Sequence, residues 1–227
     1  MDSTHIVKKA LKTTFPVFLG YFPIGIAFSF LASQAGIPWY VTLSMSLFIY
    51  SGATQFLVVS LIVAPVSLIE IILATLALNV RHIFYGTTLL QKYNNTSWRK
   101  PYLIFGLTDE TYALVSNIEN NFSEQNGKYY FIITLLNQSY WVAGTLLGSL
   151  LGGLLELKIK GLEFALIALF VVLTIEQYYK RKNIIQIIFA LVVGLLSILF
   201  IPKNMMLLVS ILACSIFAVS YRGNKNV

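Results

Sequence analysis

Pro65 to Leu90 reads PVSLIEIILATLALNVRHIFYGTTLL. The stretch is long and apolar enough to cross a bilayer, which takes about 20 mostly apolar residues. Yet Asn79, Arg81 and His82 sit inside it. On insertion scales a central arginine costs about 2.5–3.5 kcal/mol. A chain carries that cost where the charge is paired, reaches water or lines a polar path. Arg81 could instead mark a helix end and snorkel to the headgroups. Against that, Ile83, Phe84, Tyr85, Leu89 and Leu90 continue the apolar character beyond it. The stretch therefore predicts an intramembrane polar cluster, and with it a pathway.

The rest of the chain has the same texture. Of its 227 residues, 57% are hydrophobic and 11% charged, whereas soluble domains carry about 25% charged residues. This composition predicts an all-α, polytopic membrane bundle forming a single membrane domain over 1–227. Apolar segments fall near 14–33, 39–63, 66–90, 102–118, 129–151, 161–178, 184–201 and 204–221, enough for about six to eight full or partial crossings. The longest polar stretch, Asn117–Lys128, is too short to fold as a soluble domain. A net charge of +7 is not a nucleic-acid signature here, because the basic residues fall in short loops and at the termini, as orientation signals do. Lys8, Lys9 and Lys12 precede an apolar run that holds Pro16 and Pro23 and leads straight into further membrane segments, so a retained first helix is expected rather than a signal peptide. Cys214 has no intrachain partner, and His5 and His82 alone make no metal-ligand cluster. No cofactor is expected.

The two halves differ. Segments within about 14–118 are interrupted at Gly20, Pro23 and Gly25, at Ser51–Gln55, at Asn79–His82 and at Thr108–Thr111. Segments within about 129–221 are smoother and look like packing helices. Breaks free backbone groups that lipid cannot satisfy, and they survive where protein or water covers them. Broken or re-entrant helices in the N-terminal half are therefore expected to carry the site. Charge parity points the same way. With the N-terminus inside, three crossings before Leu90 would put Lys92, Arg99 and Lys100 outside, against the positive-inside pattern. One of segments two and three must then be re-entrant or split. Placing Lys180–Lys182 inside requires 102–118 to dip in and return.

Gly144, Gly148 and Gly152 recur at every fourth position, a small-residue face that lets two helix backbones approach. The partner helix could belong to this chain or to another protein.

Arg81 is the one fixed cation of the broken half away from the loops. It suits a substrate carboxylate, or else an internal ion pair with Asp109. Asp109 and Glu110 serve equally as N-cap and first-turn acid of a helix running to about Ile118, as a site for a substrate ammonium, or as proton carriers. His82 could relay protons or simply hydrogen-bond. Glu70 could lie at the interface. Ser51, Thr54, Gln55 and Asn79 can recognise a zwitterion without charge, with Gly52, Pro23, Gly25 and Tyr85 around them.

GYFPIGIAFSFLASQAGI (Gly20–Ile37), SGATQF (Ser51–Phe56), LNVRHIFYG (Leu78–Gly86) and LTDETYAL (Leu107–Leu114) together resemble the AzlC family, the large subunits of branched-chain amino acid exporters. GTLLG at Gly144–Gly148 and GLEFALIALF at Gly161–Phe170 extend the likeness over most of the chain. The resemblance implies a multi-pass bacterial inner-membrane permease that exports valine, leucine, isoleucine or analogues, methionine among them. It also implies proton-motive force as energy source and a small AzlD-like membrane subunit as partner. Tyr50 departs from the smaller residue more familiar before Ser51–Gly52, which affects pocket size. On this reading Arg81 holds the carboxylate, Asp109 or Glu110 answers the ammonium or carries the proton, and Phe28, Phe56 and Tyr85 accommodate the branched side chain. Two rivals remain: a non-transporting scaffold subunit, and an intramembrane enzyme using His82 with Asp109 or Glu110.

Overall fold

The computed structural model describes residues 3–63, 67–118, 124–155, 171, 174–175 and 184–202, with 206, 209–210, 212–214 and 216–217. The segment expected at 161–178 and most of 204–221 lie outside the described residues. Every regular element among those described is helical: α1 (Ser3–Gln34), α2 (Trp39–Phe48), α3 (Gly52–Val63), α4 (Leu68–Leu89), a 3-10 turn (Asn94–Arg99), α5 (Lys100–Phe105), α6 (Asp109–Ser116), α7 (Glu124–Leu155) and α8 (Ile184–Phe200). Two of them, α1 over Thr4–Gln34 and α4, are long and apolar enough to cross a membrane. The chain forms two compact units, Met1–Phe56 with Val80–Leu162, and Leu57–Asn79 with Glu163–Val227.

The first unit is built on α1 and α7, which lie side by side and run parallel. Their register is fixed by glycine. A Cβ on Gly144 would overlap the Phe22 carbonyl, one on Gly148 would lie 2.7 Å from the Ile26 carbonyl oxygen, and one on Gly25 would lie 2.8 Å from that of Trp141. Gly152 is looser, with Phe30 at 3.6 Å. The small-residue face is thus used within the chain, against α1. Hydroxyl pairs pin the same seam: Thr13 with Tyr129 at 2.8 Å, Thr14 with Tyr140 at 3.0 Å and Ser29 with Ser149 at 2.6 Å. Pro16 and Pro23 lie inside α1 without ending it. The interruption expected at Pro23–Gly25 is therefore an uninterrupted helix. Each proline removes one ladder hydrogen bond, and packing along α7 holds the remainder in line. Asn79–His82 likewise lies inside continuous α4.

The other two interruptions are gaps between helices. Over 39–63, α2 descends antiparallel to α7, with Ser46 on Thr145 at 2.8 Å and the Leu47 carbonyl accepting from Gln138. The chain then turns at Ile49–Ser51, where Tyr50 takes φ 42°, a left-handed conformation that a tyrosine adopts only under constraint. The first turns of α3 head back: Gly52 lies against the Trp141 indole, and Gln55 Nε2 donates to Ser46 at 3.0 Å. Over 100–116 the same device appears from the opposite end. The Tyr102 ring packs tilted against Phe131, Gly106 is pressed against Thr134, and α6 returns past Asn137.

The two hairpins are related by a constant step. Ser51 and Thr54 stand 57 residues before Thr108 and Thr111, and that step carries Gly52, the start of α3, onto Asp109, the start of α6. Each pair also makes the same side-chain contact, Ser51 to Thr54 at 2.9 Å and Thr108 to Thr111 at 3.0 Å. Because α2 runs antiparallel to α7 and α5 parallel to it, the two hairpins have opposed sense, the arrangement of inverted repeats.

The end of the unit that holds the start of α1 also holds the 91–100 turn and the start of α7. Ile6, Ala10, Leu89, Tyr93, Leu103, Leu107, Val115, Tyr129, Tyr130 and Ile133 form one apolar cluster there. Lys9 lies over the Tyr129 ring. Lys92 Nζ donates to the carbonyls of Val115, Ser116 and Ile118, capping the C-terminus of α6. Burial pushes the Lys92 ammonium's pKa down. Lys8, Lys9, Lys12, Lys92, Arg99, Lys100 and Lys128 thus collect at one end of the unit.

Within the second unit, Ser67 and Glu70 form a capping box. The Ser67 N–H donates to Glu70 at 2.7 Å, and the Glu70 N–H to Ser67 Oγ at 3.3 Å. That is the role of Glu70, which is buried. Phe189 stacks on Phe217 at 3.8 Å between ring centres, and Ser210 donates to Ser197.

Candidate functional site

The second half of α4 and the first turn of α6 place the charged groups. Arg81 Nη1 meets Asp109 Oδ2 at 2.7 Å, with the two side chains 27% and 18% exposed. Tyr85, one turn on, donates to the other Asp109 oxygen at 2.6 Å, stacks on Tyr112 at 4.4 Å and meets the His82 ring edge-on. Arg81 Nε is buried without a hydrogen-bond partner. Arg81, His82, Tyr85 and Asp109 are thus one cluster. Asn79 belongs to the second unit, where its Nδ2 donates to the Thr75 carbonyl.

Asp109 is not the N-cap of its helix. Thr108 is: extended at φ −110°, it accepts from the Thr111 N–H at 3.2 Å. The shift of one residue has a plain cause. With Thr108 closing the turn, Asp109 and Glu110 occupy the first turn, where both carboxylates favour the helix dipole and each can point away from the cap. The helix ends at Ser116, two residues short of Ile118.

The two acids face different partners. Glu110 accepts from the Tyr21 hydroxyl, whose oxygen also lies 2.8 Å from Thr108 Oγ1. Thr108 continues to Thr111, and Asn137 Nδ2 donates to Thr111 at 3.0 Å. A buried polar chain therefore runs from α1 through the second hairpin to α7. A second one joins Gln55, Ser46 and Thr145. Trp141 lies between them, edge-on to Tyr21 at 5.7 Å, stacked with Phe28 at 6.0 Å, and against Gly25 and Gly52. Phe28 also meets Phe56 at 5.5 Å. Gly25, Gly52, Gln55, Phe28 and Phe56 thus gather around α7, while Ser51 contacts Thr54 within its own turn.

Tyr21, Thr108, Thr111, Asn137 and Trp141 are absent from the sequence-based site. The run Asn137-Gln138-Ser139-Tyr140-Trp141 inside an apolar span is the signal that could have found two of them. Besides Arg81 Nε, five polar atoms buried in the first unit have no hydrogen-bond partner: Tyr50 Oη, Gln55 Oε1, Tyr93 Oη, Asn137 Oδ1 and Trp141 Nε1. Among the described residues, no group of three or more His, Cys, Asp or Glu is placed to hold a metal ion.

The ion pair joins an otherwise apolar α4 to the start of α6, and comparison with known proteins gives the family. The family model described as AzlC protein matches residues 16–155, the span from α1 to the end of α7. The chain belongs to the AzlC family. It is 32% identical over 208 residues to the branched-chain amino acid transport protein AzlC of Bacillus subtilis, covering 91% of this chain and 81% of that one. It is 41% identical over 183 residues to a membrane protein of Helicobacter pylori strain J99, covering 79% and 80%. Against the inner membrane protein YgaZ of Escherichia coli it is 30% identical over 185 residues, covering 76% and 74%. No solved structure matches. This AzlC-family protein is a membrane protein with a transport role, and not an enzyme.

Proposed function

We propose that this AzlC-family protein exports branched-chain amino acids (valine, leucine, isoleucine or analogues, methionine included) across the bacterial inner membrane, driven by the proton-motive force. It works as a multi-pass subunit with a small AzlD-like membrane partner, and its two hairpins are re-entrant elements within a single transporter domain. The observation that carries this reading is the Arg81–Asp109 pair. Each member is the counter-charge of one half of an amino-acid zwitterion, and Arg81 keeps an N–H that no protein group accepts. Substrate entry exchanges partners: the guanidinium takes the carboxylate, and Asp109 takes the ammonium. Glu110, held by Tyr21, carries the coupling proton, and His82 lies beside the exchange.

The B. subtilis relative's name supports the substrate class. Against the scaffold reading, Gly144 and Gly148 are spent on α1 of the same chain rather than left for docking. The test is efflux of preloaded radiolabelled leucine from cells expressing wild type or Arg81→Gln, with membrane insertion measured alongside. The proposal expects efflux from wild type and none above background from inserted R81Q. Normal efflux from R81Q overturns it.

A further inference from the structure

With Arg81 and Asp109 satisfying each other, a substrate head group in this conformation has to be held by other atoms. Three unpartnered ones lie at the first hairpin tip and on the stretch of α7 that the tips pack against. Tyr50, Asn137 and Trp141 are 4%, 0% and 3% exposed, and each carries a polar atom without a partner. Buried polar groups in native proteins are almost always satisfied, so three in one region call for an explanation.

Their neighbours show that they converge. Asn137 and Trp141 are one turn apart on the same face of α7. The Trp141 indole lies against Gly52, the first residue of α3, and edge-on to Tyr21. Tyr21 touches Thr108 and Glu110 at the second tip, and Asn137 donates to Thr111 there. Tyr50 sits at the first tip, two residues before Gly52, with its ring 6.5 Å from that of Phe105 at the end of α5. The left-handed backbone of Tyr50 holds its side chain in this position at a cost in strain.

The set is chemically mixed. Trp141 Nε1–H can only donate, Asn137 Oδ1 can only accept, and the Tyr50 hydroxyl does either. A carboxylate satisfies the first and third, together with the N–H groups that open α3. An ammonium satisfies the second, with Glu110 beside it. We propose that the two hairpin tips and α7 form a head-group station for an α-amino acid zwitterion, with Tyr50 and Trp141 binding its carboxylate and Asn137 its ammonium. The substrate occupies this station while Arg81 is held by Asp109, and passes to Arg81 when that pair opens. This assignment rests on the amino-acid transport reading above and adds three residues to it.

The experiment measures radiolabelled leucine binding and thermal unfolding of the purified full chain in detergent, for wild type, Tyr50→Phe, Trp141→Phe and R81Q. Leucinamide and 4-methylpentanoate compete as probes lacking the carboxylate or the ammonium. Loss of one hydrogen bond to a charged group is expected to weaken leucine binding about tenfold or more in Tyr50→Phe and Trp141→Phe. The midpoint of Tyr50→Phe should be unchanged or raised, since an unpartnered buried oxygen is removed. A purely structural tyrosine would not lower binding while sparing the fold. R81Q should bind leucine and fail to export it, and neither probe should compete as well as leucine. Wild-type binding in both Tyr50→Phe and Trp141→Phe overturns the station and leaves the transport reading standing, as does loss of binding in R81Q alone. Folded wild type that binds no aliphatic amino acid, either alone or with the proposed small partner added, overturns the transport reading, and the station with it.

Discussion

Replacing Arg81 by glutamine keeps most of the side chain and removes the charge opposite Asp109. The structure sets the size of the effect. The ion pair is 2.7 Å long and its side chains are 27% and 18% exposed, so it is neither a surface pair nor a dry one. Exposed pairs contribute about 0–1 kcal/mol, and stripping one partner from a buried pair costs about 3–5 kcal/mol. Partial exposure screens the remaining charge, and the Tyr85 hydroxyl still donates to Asp109. The single substitution should therefore cost about 2 kcal/mol, between those two limits. Asp109→Asn should cost about as much, since it leaves the guanidinium alone. In the double variant R81Q/D109N no charge is left uncompensated, so the losses should not add, with a coupling of about 1–2 kcal/mol. Denaturant unfolding of the four proteins in detergent measures that coupling, and leucine efflux from loaded cells is read in parallel. Stability should recover in the double variant while efflux stays lost. If efflux returns with stability, the pair is a structural tie and the reasoning that makes it a substrate ligand fails.

Gly148→Leu should abolish folded protein or lower stability by about 3 kcal/mol or more, because the Ile26 carbonyl is backbone and cannot step aside, whereas Gly152→Ala should be tolerated; detergent melting curves separate the two. Thr108→Val should lose about 1 kcal/mol through the missing N-cap, and Thr108→Ser should retain it, as read by the same melts. Lys92→Met leaves the carbonyls of Val115, Ser116 and Ile118 without their donor, and should speed amide hydrogen exchange across 109–118 with little change in α1. In a Cys214→Ser background, single cysteines at Ser44, on α2, and at Trp98, beside α5, should react with impermeant thiol reagents from opposite faces of oriented vesicles, and labelling of both from one face would contradict the opposed hairpins.

Much of the fold is legible in the sequence, and the exceptions have physical causes. Arg81 in an apolar run and Asp109 in LTDETY point to a charge pair, because each is expensive alone in apolar surroundings. The gaps at Ile49–Ser51 and Gly106–Thr108 follow from local chemistry that any chain shows: a serine or threonine three residues ahead of a threonine, ready to cap a helix. The same rules mislead at Pro23 and at Asn79–His82, where helices continue. A proline removes only one bond, and contacts along α7 outweigh it. What local reading misses most is α7. The run from Asn137 to Trp141 marks a polar break in an apolar span, but its importance comes from the hairpins that fold against it, which no window of α7 contains. The opposed sense of the two hairpins is equally invisible locally. The shared Ser/Thr-x-x-Thr step of 57 residues becomes telling only once both helix starts are seen at the same turn of α7.

In the proposed export role, the Arg81–Asp109 pair opens for an amino acid to leave the cell. Reconstituting the chain with the proposed AzlD-like partner in liposomes, loading them with radiolabelled leucine and imposing a pH gradient tests it most directly. The account predicts leucine release above that of protein-free liposomes, faster with the gradient and absent with R81Q. Release at the protein-free rate from wild type, or equal release from wild type and R81Q, would contradict it.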